Sequence, residues 1–230
     1  MRTKILVAVV VAALAAAGRA DDGAKKDFLP TEDELSKHVL EVARSYPTDG
    51  THRYFWPKGS TWTGTTRDLF YEKERVCDGD AEKRCYCCGL TFEVFFRAWE
   101  AAAKKAGKDF RIGDLDAAGV HKLRRDWFGI DENDRKTCQR ALTERGLGHA
   151  VPLDRARAGD FVQLWRADKS GHSVVLLAVE RDKDGAPSAL RYWSTQKSTN
   201  GIGERVEKIG HTGHAVLVDE VFAVRAGRKP

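Results

Sequence analysis

Two adjacent cysteines, Cys87 and Cys88, followed by Gly89, stand where the most regular helical pattern of the chain begins. The start of a helix presents unpaired backbone N–H groups and the positive end of the helix dipole, and both favour an anion. A thiol placed there gives up its proton more readily than in water and becomes a nucleophile. Gly89 permits close approach by a substrate or by another backbone segment, with the helix-tip N–H groups at hand to receive an oxyanion. A second reading stays open at this point. Cys85, Cys87 and Cys88 are three cysteines in four positions and could be disulfide partners for Cys77 and Cys138. Five cysteines cannot all pair within one chain, so at least one thiol is left over.

A thiol nucleophile needs a base, and seven histidines are available. His172 follows Gly171 at the head of the apolar run Ser173-Val174-Val175-Leu176-Leu177, which puts it at a strand end beside a turn, where a helix N-terminus can meet it. His38 and His121 fall on helix surfaces, and His52 and His149 fall in loops. His211 and His214 have a spacing seen among metal ligands, but no second ligand pair accompanies them, so neither a metal nor another cofactor is expected.

Around these residues the pattern predicts helices first and strands second. Thr31-Glu32-Asp33-Glu34 reads as a capping box opening an amphipathic helix through Leu35, Val39, Leu40 and Val42 that stops before Pro47. Leu90, Val94, Phe95, Trp99 and Ala102 keep helical spacing from Cys88 to Lys105. Two more helical patterns run from about Asp114 to Trp127 and from about Asp131 to Arg145. Between the first two helices, the aromatics Tyr54, Phe55, Trp56 and Trp62 have no steady period and read as a loop with large apolar anchors. Beyond Val151, β-like runs at Phe161–Arg166, Ser173–Val179, Leu190–Thr195 and Ala215–Val224 are separated by short turns, which predicts an antiparallel sheet.

Composition bounds the class. The 230 residues are 42% hydrophobic and 32% charged, which suits a globular chain with a true core and excludes a disordered tail or fibrous repeat. Arg2 and Lys4 precede an unbroken apolar run from Ile5 to Ala17, and Gly18-Arg19-Ala20 offers small residues for cleavage, so residues 1–20 read as a signal peptide. The apolar run is short for a membrane span, and the expectation is an exported protein, secreted or periplasmic, not held in the membrane after cleavage. Losing Arg2, Lys4 and Arg19 takes the formal charge from +5 to +2. The basic residues are interleaved with acidic ones, which argues against a nucleic-acid partner. Residues 21–30 are polar and expected to be mobile, and no low-complexity linker divides 21–230, which is read as a single domain.

Tyr86-Cys87-Cys88-Gly89-Leu90 resembles the Asp-Cys-Ser-Gly-Leu motif that opens the catalytic helix of NlpC/P60-like cysteine hydrolases, members of the papain-like group that cut cell-wall peptides. Ala158-Gly159-Asp160-Phe161-Val162 is similar to that family's Pro-Gly-Asp-Leu-Val segment, and Gly171-His172-Ser173-Val174-Val175 to its His-Val-Gly-Ile strand. The order of the three agrees, over about residues 85–196. The resemblance implies an α+β papain-like fold, with N-terminal helices packed on a C-terminal antiparallel sheet; the helices at about 107–150 depart from it as an insertion that makes the Cys-to-His interval longer than the family's compact form requires. It implies Cys87 as nucleophile, with Cys88 as the alternative, and His172 as base. A third polar residue on the following strand would orient the imidazole. Gln196 is chosen for that role because an amide oxygen accepts the imidazole N–H without titrating, with Ser194 and Asn200 as reserves.

The expected function is therefore hydrolysis of an amide bond in peptides of peptidoglycan type by a Cys-His-polar triad. Tyr86 and Cys88 replace the Asp and Ser that flank the family's nucleophile, which leaves the substrate open. The reading of another class is a secreted, disulfide-stapled binding protein with no catalysis, in which the aromatic loop 52–62 grips a glycan or partner.

Overall fold

The computed structural model describes residues 28–57, 62–131 and 134–229, and the expected signal peptide lies outside them. Among the described residues there are four α-helices: α1 (Glu32–Arg44), α2 (Cys87–Lys105), α3 (Ala117–Phe128) and α4 (Thr137–Thr143). A hairpin of β1 (Leu69–Tyr71) and β2 (Glu74–Cys77) lies between α1 and α2. Six further strands, β3 (Gly148–Val151), β4 (Phe161–Arg166), β5 (Gly171–Arg181), β6 (Pro187–Gln196), β7 (Gly201–Lys208) and β8 (Val216–Ala226), form one antiparallel sheet in the order β3-β8-β4-β5-β6-β7. The class is α+β. No helix among the described residues is long and apolar enough to cross a membrane.

Helix α1 starts where its local chemistry dictates. The Thr31 hydroxyl accepts from the Glu34 N–H, and the Glu34 carboxylate accepts from the Thr31 N–H at 3.0 Å, satisfying two donors that would otherwise be orphaned. The helix lays Leu35, Val39 and Val42 against α2. The residues just before α1 are not loose as expected, because Phe28 and Leu29 pack on the core and the Pro30 carbonyl accepts from Arg228. Helix α2 is buried along nearly its whole length, with Leu90, Phe92, Val94, Phe95 and Trp99 inaccessible, and it lies on β5 and β6. The helices expected near 114–127 and 131–145 are α3 and the shorter α4. Through Trp127, packed against Phe95 and Phe161, α3 ties α2 to the sheet.

The sheet is apolar on both faces and curls. On the helix side, Phe161, Val175, Trp193, Ile202 and Val224 join the main core. On the opposite side, Val162, Leu164, Val174, Leu176 and Tyr192 form a second core. Arg166 on β4 reaches Glu207 on β7 through two hydrogen bonds of 2.9 and 3.1 Å, although β5 and β6 stand between their strands. Only a strongly curved sheet brings them together, so the second core fills a concave face. Asp160, wholly buried, is clamped by Arg225 at 2.7 and 3.0 Å, which joins the start of β4 to the end of β8. The Gly-Asp motif is thus a fastening of the sheet.

The five cysteines are free thiols in this structure, which differs from the expectation of disulfides. Cys77, Cys85 and Cys138 are instead packed into the apolar core as small hydrophobic side chains. Burial pushes the Cys77 and Cys85 thiols up to about 12, and holds Cys138 well above the ordinary thiol range.

Candidate active site

Cys87 is the first residue of α2. Its N-cap, Tyr86, is extended and offers no side-chain cap, and the first turn carries no acidic residue, so the electropositive helix tip is left to the sulfur atoms beside it. The tip is fixed by the segment that crosses it. A Cβ on Gly89 would meet the Thr63 carbonyl oxygen at 2.3 Å and that of Gly64 at 2.4 Å, so only glycine fits at this position. The Gly64 carbonyl in turn accepts from the Tyr86 N–H at 3.2 Å. Of the two possible uses of Gly89, the structure takes the backbone crossing.

His172 enters from the sheet. It is the second residue of β5, opposite Leu164 of β4, and lies at the end of the concave face with its ring edge-on to Tyr192 at 5.7 Å. Its Nε2 lies 2.8 Å from Gln196 Oε1, at the end of β6. What sets the orientation is a chain of bonds beyond the pair. Gln196 Nε2 donates to Thr199 Oγ1 at 3.0 Å, and Thr199 Oγ1 donates to the Gly201 carbonyl at 2.5 Å. A carbonyl only accepts, so the hydroxyl must give its proton to Gly201 and receive from the amide N–H₂. The amide oxygen then faces the histidine, His172 carries its proton on Nε2, and Nδ1 is left as the acceptor for the thiol.

Cys87 is partly exposed and its thiol is held well below the ordinary thiol range. The largest cause is the hydrogen bond from the Cys88 thiol. Burial opposes it, while the charge and hydrogen bond of His172 and the N–H of Ser173 add to the lowering. Cys88 moves the other way. Donating to Cys87 and buried, it is held well above the usual range. The two candidates of the sequence are separated by the direction of their shifts: Cys87, beside the imidazole, is held low, and Cys88, its hydrogen-bond donor, is held high. Thr91 fixes both by donating to the carbonyls of Cys87 and Cys88 at 3.0 and 3.2 Å.

The reserves for the third position do not reach the ring. Ser194 donates to the Ser173 carbonyl at 2.7 Å, and Asn200 closes the turn after Gln196 in the left-handed region. Of the remaining histidines, His38 bonds Glu41, His52 meets the Thr51 hydroxyl, His149 faces Glu32, and the exposed His214 pairs with Asp168 at 2.8 Å.

One participant was missed from sequence. Tyr54 lies beside Cys85 through a parallel bridge, with the Phe55 N–H donating to the Cys85 carbonyl at 2.9 Å. Burial and then the two neighbouring thiols push its phenol up to about 12, so it stays protonated as a donor near both sulfurs. It lines a cleft of about 600 Å³ with Phe55, Trp56, Arg166, His172 and Gln196. The aromatic loop is thus the wall of the cleft, and Pro57 and Trp62 border residues 58–61, which lie outside the described ones. Aromatic content alone marked this loop, but only the bridge to Cys85 brings it to the thiols.

In comparison with known proteins, no family model, no curated protein and no solved structure matches this chain.

Proposed function

We propose that the protein is a papain-like, NlpC/P60-like cysteine hydrolase that cleaves an amide bond in a peptide of cell-wall type. The observation that carries the reading is the bond chain Gly201–Thr199–Gln196–His172, which leaves His172 Nδ1 to face the one sulfur whose proton affinity is lowered. That is an activated nucleophile, a base and an orienting group in one constellation.

In the reaction, the Cys87 thiolate attacks the carbonyl carbon, and the negative charge moves to the carbonyl oxygen. The uncapped amides of the α2 tip, with the Tyr54 hydroxyl beside the two thiols, are the donors we assign to receive it. The C–N bond then breaks, the leaving nitrogen takes the proton held on His172 Nδ1, and a thioester remains on Cys87. Water gives a proton to Nδ1 as it attacks the thioester, and the C–S bond breaks to release a carboxylic acid and the thiolate. Gln196 accepts from Nε2–H throughout and keeps the ring in place. Export from the cell, by way of residues 1–20, is part of the same proposal.

The test is alkylation of the reduced protein with iodoacetamide at pH 6, with the adduct mapped by mass spectrometry. A thiol of ordinary pKa about 8.5 loses reactivity roughly tenfold per pH unit below that value. Because the folded state favours the Cys87 thiolate, its labelling persists into that range while the other four cysteines stay unmodified. Labelling confined to any residue other than Cys87 overturns the proposal. The binding-module alternative requires Cys87 and Cys88 to be oxidised in the exported protein, and a thiol count on that material decides it.

A further inference from the structure

Arg67 precedes β1, Lys83 sits in a turn and Arg97 lies on α2, yet all three line one cavity of about 540 Å³ together with His52. A run of charges along a sequence is usually a solvated face, but these four residues meet only through the fold. Ser45, Tyr46, Pro47 and Thr66 complete the walls, and no carboxylate is among them. Their hydroxyls point into the protein, Ser45 to the Val42 carbonyl, and Tyr46 and Thr66 to Glu93. The cavity shares no lining residue with the cleft of His172 and Gln196.

Charge is unbalanced around it. Arg67 pairs with Glu93 at 3.3 Å, whereas among the described residues neither Lys83 nor Arg97 has a carboxylate within ion-pair distance. Arg97 rests on Tyr46 instead, with its guanidinium centre 5.1 Å from the ring centroid and a hydrogen bond to the hydroxyl. The C-terminus of α1 borders the cavity and attracts cations, but the Ser45 and Tyr46 N–H groups already cap its last carbonyls. Glu93 thus neutralises one of the three fixed charges and leaves two.

His52, only 7% exposed, adds a nitrogen that lacks a partner. The Thr51 hydroxyl donates to Asp49 at 2.7 Å, so it accepts from His52 Nδ1 and leaves the lone pair on Nε2. Among the described residues Nε2 has no hydrogen-bond partner, yet it is not sealed off, and the cavity is the space on which the ring opens. Burial and then Lys83 lower the His52 pKa, with Arg67 adding to them and Glu93 and Asp49 opposing. An anion in the cavity offsets the two cations, so the ring takes a proton at Nε2 and becomes a further donor.

Cations from three separate segments suit a tetrahedral anion of two charges better than a carboxylate, which presents one edge and one charge. We infer that this cavity binds a phosphate group, free or at the end of a larger molecule, held by Lys83, Arg97, Arg67 and His52. The volume leaves room for the group that a phosphate monoester carries. The inference stands apart from the role of Cys87.

The test is calorimetric titration of the purified protein at pH 7.5 and constant ionic strength, with inorganic phosphate, glycerol 3-phosphate and acetate as probes. The expected result is that at least one of the two phosphates binds about tenfold or more tightly than acetate. Lys83→Gln and Arg97→Gln each weaken phosphate binding about three- to tenfold and change acetate binding little. Tighter binding of the ester assigns the site to a phosphorylated molecule, tighter binding of the ion assigns it to free phosphate, and both support the inference. Phosphates that bind no better than acetate overturn it without any variant. So does a phosphate preference that survives the paired substitution Lys83→Gln and Arg97→Gln in protein whose circular dichroism is unchanged. Cys87 alkylation reads the hydrolase proposal separately, since neither substitution lies at the helix tip.

Discussion

Cys87 and Glu93 lie on the same helix six residues apart, and each anchors a buried polar cluster. Glu93 is wholly inaccessible and receives the Tyr46 hydroxyl at 2.7 Å, the Thr66 N–H at 2.7 Å, the Thr66 hydroxyl at 2.8 Å and Arg67 at 3.3 Å. Both carboxylate oxygens have donors, and the result is a rivet that holds the loop after residue 62 to α2. At the helix tip the accounting stops one bond short. Gln196, Thr199 and Gly201 satisfy one another and one nitrogen of His172, and what is left is an acceptor nitrogen beside an acidified thiol. The difference separates two uses of buried polarity. A saturated cluster resists change, whereas a cluster left with a single opening has somewhere for a substrate proton to go.

Substitution at the two adjacent sulfurs breaks the comparison most severely. Cys87→Ala is expected to lower kcat by at least about 10⁴-fold while thermal unfolding stays unchanged, because no other group at the tip forms the covalent intermediate. Cys88→Ala removes a hydrogen bond to the thiolate and leaves the nucleophile, so activity persists at a reduced level and Cys87 alkylation at pH 6 slows. Steady-state kinetics with mapped alkylation checks both.

The opposite pattern is expected at the rivet. Glu93→Ala strands the Tyr46 and Thr66 donors and costs about 3 kcal/mol of stability. For a chain of this size that is a fall of roughly 10 °C in Tm, measured by calorimetry. Specific activity of the folded fraction at low temperature stays near that of the parent.

What the sequence made legible follows the same division between local and distant causes. The Thr31 capping box and the spacing of Leu90, Val94 and Trp99 are set within a few residues, and α1 and α2 begin where those signals place them. Cys87, His172 and Gln196 were readable because each sits at the end of an element, next to a glycine or a turn. Strand β7, Gly201–Lys208, was not read, since its inward Glu207 finds Arg166 only through the curl of the sheet, and the resulting pattern of charge does not look like a strand. Glu93 interrupts an apolar helix face and draws its partners from residues 46, 66 and 67. The odd number of cysteines, by contrast, carried no information about which is reactive, because all five are free and their environments alone tell them apart.

Gln196→Ala sharpens the comparison by opening the tip cluster further. The ring loses its acceptor and the preferred tautomer, so kcat is expected to fall about 100-fold with KM little changed. A residue that merely ended β6 would lower Tm instead, and would leave the pH profile of Cys87 alkylation where it was. For Gln196 that profile moves to higher pH, since a misplaced imidazole no longer favours the thiolate.

The smallest effect is expected one bond further out, and it is the most specific to the argument. Thr199 touches neither the thiol nor His172, yet it decides which end of the Gln196 amide faces the ring. Thr199→Val leaves that amide free to turn over and present its N–H₂ to Nε2. Nε2 would then have to accept, the proton would sit on Nδ1, and the nitrogen facing Cys87 could no longer take the thiol proton. Because the two amide orientations then compete on nearly equal terms, kcat and the Cys87 alkylation rate fall together, roughly two- to tenfold. Thr199→Ser, which keeps the hydroxyl, restores both. Loss of activity in Thr199→Val without a parallel slowing of alkylation would mean that the tautomer is held by something other than this chain.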